Sequence, residues 1–150
     1  YINNILDNLN SRLLIIGKGF EFLNSEFKNR NFITLGFVDE LEPYYLNADF
    51  VINPVFFFFC MKTKTIEAFM YGKTIIGTHE AFIGIEEDLK DIAFIADDKT
   101  LFMNNINKVL SNLEFYKHNT LSRDLFIKNF SIRTSINKFN KILKVINEEK

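Results

Sequence analysis

The chain has 150 residues, 47% of them apolar, with 18 Lys/Arg against 19 Asp/Glu, one cysteine and 18 phenylalanines. That is one domain's worth of protein, long enough to bury a core. Its longest apolar run, residues 55–61, falls far short of the roughly 20 residues of a membrane span, and a lone cysteine excludes an internal disulfide.

Charge is unevenly spread. Residues 1–116 carry 10 basic against 16 acidic side chains, a balance of −6, and residues 117–150 carry 8 against 3, a balance of +5. The basic lysines are spaced among apolar residues rather than clustered, which reads as a solvated helical face and gives no nucleic-acid footprint. No signal-peptide pattern opens the chain, and with a single cysteine the expected setting is cytoplasmic. Tyr1 at the first position, instead of Met, is read as the mark of an excised fragment.

Taken in order, Ile2, Ile5, Leu6 and Leu9 have helical spacing. Residues 12–16 (RLLII) form a continuous apolar run, the pattern of a strand buried on both faces, and end in the tight turn Gly17-Lys18-Gly19. A helix is expected over 20–27 and a second strand over 32–35. Asp39 is placed to cap a helix running toward Asn47. Residues 49–53 form a third strand, closed by Pro54. The helix over 62–71 carries Ile66, Phe69 and Met70 on one face, with Gly72 at its C-cap. Residues 74–77 and 92–95 are a fourth and a fifth strand, and Asp97 or Asp98 caps the helix that follows. From Leu101 onward the pattern is helical only, with helices around 101–110, over 121–130 and over 132–146, the last capped by Ser131.

Strands alternating with helices predict an α/β fold, a three-layer Rossmann-like parallel sheet of about five strands with helices on both faces and a helical C-terminus. In such sheets ligands bind beyond the carboxyl ends of the strands, which selects residues 54–64 and 78–84. Lys62 and Lys64 stand at the opening of the 62–71 helix, where free N–H groups and the helix dipole attract an anion. Lysines there oppose the dipole, a conflict that a bound phosphate would resolve. Glu67 lies at i,i+3 from Lys64, on the same side of the helix, where a carboxylate can accept ribose hydroxyls. The same residues also suit solvated helix positions, and Gly17 and Gly19 suit a plain strand-to-helix turn, because Gly-x-Gly lacks a third glycine. His79 follows a strand and either reaches the ligand or acts as a spacer. With two histidines and one cysteine far apart, a metal site has little support.

The segments LLIIGKG (13–19), ITLGFVDE (33–40), YYLNADFVINP (44–54), MKTKTIEAFMYGKTIIGT (61–78) and EAFIGI (80–85), in this order, resemble the carboxyl-terminal, donor-binding domain of GT-B glycosyltransferases of family 4. The resemblance implies sugar transfer from a nucleotide-diphosphate sugar with retention of configuration, without a metal or other cofactor, by a hexosyltransferase-like enzyme of bacterial surface-glycan synthesis. By position it implies that Glu67 holds the donor ribose and that Lys62 and Lys64 stand near the diphosphate. Gly17 and Gly19 match the turn after the first strand, and the loop holding Thr78, His79 and Gly84 stands near sugar and phosphate. It further implies that residues 1–150 are a truncated C-terminal domain. The acceptor-binding N-terminal domain and the first strand and helix then belong to the full-length protein, whose peripheral contact with the inner membrane face is left open, and the fragment is inactive alone.

This sequence departs from the family where Phe58, Phe59 and Cys60 replace the usual Gly-Ser-Gly, since glycine permits a close backbone approach that phenylalanine does not. The alternative reading is therefore a non-catalytic Rossmann-like module that has lost donor binding and associates, as a homodimer for example, through Phe56 to Phe59. A receiver-like domain is disfavoured, because Gly17-Lys18-Gly19 supplies no acidic cluster.

Overall fold

The computed structural model describes residues 11–20, 22–23, 31–56, 62–85 and 89–148. The helices expected over 2–9 and 20–27, and the positions of Phe57, Phe58, Phe59 and Cys60, fall wholly or mostly outside them. The chain divides into two compact units, Tyr1–Pro43 and Tyr44–Lys150.

In the first unit β1 (Leu13–Ile15) pairs in parallel with β2 (Phe32–Thr34), Leu13 opposite Phe32 and Ile15 opposite Thr34. The turn after β1 is tied back by the Gly17 N–H, which donates to the Gly36 carbonyl at 2.7 Å. The apolar run does not make β1 a strand buried on both faces: Leu14 is exposed and its two neighbours are half-buried. With β2 beside it in a two-stranded ladder, the strand alternates as a half-covered one does.

A short helix, α1 (Glu42–Asn47), leads into the second unit. It starts three residues after Asp39, so Asp39 is not at its cap position. The second unit holds β3 (Val51–Asn53), β4 (Ile75–Gly77) and β5 (Ala93–Ile95), all parallel, with β4 in the middle. All three residues of β4 are buried, as a central strand covered on both faces must be. Between β3 and β4 runs α2 (Thr63–Met70), and after β4 comes a 3-10 turn (His79–Phe82). The fold is α/β, with five parallel strands among the described residues, flanked by helices.

The core of this unit gathers Ala68 and Phe69 from α2, Ile75 from β4, Ala81 and Phe82 from the 3-10 turn, Ile85, Ile92, Ala93 and Leu125. The buried face of α2 is Thr65, Ala68 and Phe69, while Ile66 and Met70 are only half-buried. Of the expected apolar face Phe69 is thus fully buried, with the small side chains of Thr65 and Ala68 beside it.

Four helices complete the chain: α3 (Lys99–Ser111), α4 (Leu113–Lys117), α5 (Thr120–Phe130) and α6 (Ile132–Glu148). Asp98 caps α3 by accepting from the Leu101 N–H at 2.8 Å, and Ser131 caps α6 by accepting from the Thr134 N–H at 3.3 Å. Nothing on α6 is buried. Its row of Ile132, Ile136, Phe139, Leu143 and Ile146 is exposed. No helix among the described residues is long and apolar enough to cross a membrane.

Candidate functional site

The carboxyl edge of the β3–β4–β5 sheet is built from three loops and the start of α2. After β3, Pro54 has no N–H to continue a ladder, and the Val55 N–H turns back to the Asn53 carbonyl at 3.0 Å. Lys62 is the N-cap residue of α2, yet its side chain makes no capping hydrogen bond. The helix-opening contacts are Thr65 N–H and Ile66 N–H to the Lys62 carbonyl, at 3.0 and 3.2 Å. The amides before them lack an i−4 carbonyl by helix geometry, and they carry the positive end of the helix dipole.

One hydroxyl fixes this helix end to the sheet edge. Thr65 is fully buried; its Oγ1 accepts from Asn53 Nδ2 at 2.9 Å and donates to the Ala81 carbonyl at 2.7 Å. The end of β3, the first turn of α2 and the turn after β4 are thereby one hydrogen-bonded piece. Gly77 lets them close up: a Cβ there would lie 2.9 Å from the Asn53 carbonyl oxygen and 3.0 Å from the Ala81 Cβ. Thr78, also buried, donates its hydroxyl to the Val55 carbonyl, linking the loops after β3 and β4. The His79 N–H donates to Asp97 Oδ1 at 2.7 Å, which brings in the loop after β5. Asp97 was expected as an alternative cap for α3; it serves this loop-to-loop contact instead, and Asp98 does the capping.

Of the residues selected from the sequence, Lys62, Lys64, Glu67, Thr78, His79 and Gly84 all lie in the second unit, on α2 or in the loop after β4. Lys62 is buried, at 7% exposure, whereas Lys64 is exposed, so the two lysines do not form a matched pair. Positions i and i+2 on a helix face apart, which accounts for the difference. His79 and Gly84 are exposed. Gly17 and Gly19 belong to the first unit, where both have positive φ in the turn after β1.

Glu67 is half-buried and has a partner that sequence reasoning did not assign. The Tyr45 hydroxyl of α1 donates to Glu67 Oε2 at 3.2 Å, and the Tyr45 ring stacks on Tyr71, with centroids 5.0 Å apart and 12° between planes. Burial, and then the charge of Glu67, push the Tyr45 phenol well above its ordinary value of 10.0, so it remains a proton donor. Asn53, Thr65, Gly77 and Asp97 were likewise not selected for the site. The Asn53–Thr65, Thr65–Ala81 and His79–Asp97 hydrogen bonds and the Gly77–Asn53 approach all join residues 12 or more apart, a separation at which the sequence carries no local signal.

Chemically, the edge offers backbone N–H groups, one buried and one exposed lysine, a carboxylate held on one oxygen, and hydroxyls. That set suits a polar, anionic, hydroxyl-bearing ligand. Among the described residues no three His, Cys, Asp or Glu side chains come together as a metal cluster. No curated protein matches the chain. The family model described as glycosyl transferases, group 1, matches residues 2–112, from before β1 to the end of α3 and including every residue of the edge described above. The chain therefore belongs to the group 1 glycosyl transferases, a glycosyltransferase domain whose substrate class is a nucleotide-sugar donor.

Proposed function

We propose that this chain is the donor-binding half of a retaining, hexosyltransferase-like enzyme of bacterial surface-glycan synthesis, its acceptor being held by a separate N-terminal domain. The diphosphate of the donor lies at the N-terminus of α2, against its first amides and the Lys62 and Lys64 side chains. These groups stabilise the charge that develops on the leaving nucleoside diphosphate, without a metal. Glu67 accepts the ribose hydroxyls. Thr78, His79 and Gly84 border the sugar and phosphates.

The observation that carries the reading is the Asn53–Thr65–Ala81 contact. It holds the helix end preorganised beside the loop after β4, so that no reorganisation is needed when the diphosphate arrives. Calorimetric titration with UDP and with GDP tests the reading. Binding of one of them, weakened about tenfold or more by Glu67→Ala, is expected, since hydrogen bonds to a charged group contribute about 1.5–3 kcal/mol. Equal binding by the variant removes Glu67 from the site. Absence of binding by both at millimolar concentration favours a non-catalytic module instead.

A further inference from the structure

We propose that Tyr45 is a positioning residue for Glu67: it fixes one carboxylate oxygen so that the other is presented to the donor ribose. The proposal rests on the ribose role given to Glu67 above. A glutamate side chain has three rotatable bonds, and on a helix surface its carboxylate samples several rotamers that a ligand must freeze. Here Glu67 and Tyr71 stand at i and i+4, neighbours on one face of α2, and Tyr45 reaches across both. Its ring lies nearly parallel to that of Tyr71, and its hydroxyl meets Glu67 Oε2.

The ring is also packed against the buried core of the unit, so the hydroxyl is held by more than its own hydrogen bond. Each carboxylate oxygen has two acceptor positions. A single O–H donor therefore leaves Oε1 and part of Oε2 for two vicinal hydroxyls. The phenol remains protonated, so its O–H stays a donor to the carboxylate oxygen. Neither tyrosine is legible as a site residue in the sequence: Tyr45 lies 22 residues before Glu67, on a different helix.

The experiment compares UDP and GDP with their 2′,3′-dideoxy counterparts on three proteins: the unaltered chain, Tyr45→Phe and Glu67→Ala. Tyr45→Phe keeps the ring and its stack and removes only the hydroxyl. Expected is a loss of about threefold to tenfold in affinity for the ribose-bearing nucleotide, with affinity for the dideoxy nucleotide unchanged. The preference for ribose thus shrinks in Tyr45→Phe and disappears in Glu67→Ala. A merely structural tyrosine would weaken both nucleotides alike, and that result overturns the proposal. An undiminished ribose preference in Tyr45→Phe, when Glu67→Ala has lost it, also overturns the proposal and leaves Glu67 in its role. A ribose preference that survives Glu67→Ala, or no binding of either nucleotide, overturns the assignment of Glu67 and the proposal with it.

Discussion

At the scale of single residues, the Thr65 hydroxyl does the most with the fewest atoms. It accepts from Asn53 and donates to Ala81 while fully buried, so both partners depend on it for satisfaction. Replacing it by the nearly isosteric Val leaves an amide N–H and a carbonyl buried beside a methyl group. Each such orphan costs about 1–3 kcal/mol. Thr65→Val is therefore expected to lower the unfolding free energy by about 2–4 kcal/mol in urea titrations, and a change below about 0.5 kcal/mol would show that the network is loosely held. The stretch MKTKTIEAF revealed the helix, its two lysines and its glutamate, because charges at a helix opening stand out locally. It did not reveal Thr65, which looks like any helix threonine until residues 53 and 81 are seen beside it. Nor did it reveal that Lys62 is buried and Lys64 is not.

At the scale of elements, the end of α2 shows how local signals and distant ones combine. Gly72 follows the C-cap residue Tyr71 with φ +64, its N–H donating to the Phe69 carbonyl and the Lys73 N–H to that of Ala68. This is the Schellman pattern that glycine favours, and it was legible, as were the caps at Asp98 and Ser131. Lys73 is different. Its side chain is buried, and its Nζ donates to the Leu46 carbonyl at 3.2 Å and the Lys117 carbonyl at 3.5 Å, the last turns of α1 and α4. One ammonium thus serves the negative ends of two helices, a contact invisible in a sequence where those carbonyls lie 27 and 44 residues away.

Burial lowers the Lys73 pKa from 10.5, against a partial restoring pull from Asp49. The unfolded chain therefore holds more protons than the folded one between the lowered value and 10.5, and this group makes stability rise with pH across that window. The Tyr45 phenol, raised above 10.0, acts oppositely at higher pH, so a difference measurement is needed. The unfolding free energy of the unaltered chain minus that of Lys73→Met is expected to climb with pH toward 10.5; parallel profiles would contradict the burial argument.

At the scale of the molecule, the match to the glycosyltransferase family ends at residue 112, but the second unit does not. Beyond that point α5 puts Leu125 into the core, and the residues around its start tie it to the turn between α2 and β4. The Asn119 N–H donates to the Gly72 carbonyl at 2.9 Å, and Ser122 Oγ to the Lys73 carbonyl at 2.9 Å. The alternation of strands and helices was readable because apolar runs and glycine turns punctuate this chain strongly. What the pattern did not foretell was the division of the strands between a pair and a triplet, or the half-exposed character of β1. Burial on one face or two depends on which elements lie alongside, and the run RLLII is compatible with either. The basic residues of α6 are exposed, as expected of a solvated face, and so is its apolar row.

The proposed seat of the nucleoside diphosphate is the carboxyl edge of the β3–β4–β5 sheet, before the first turn of α2. Amide NMR during titration with UDP and with GDP tests it most directly. Saturable shifts are expected for the amides of residues 63–66 and 78–82, with much smaller changes on α5 and α6. Shifts confined to other surfaces, or none with either nucleotide at millimolar concentration, would contradict it.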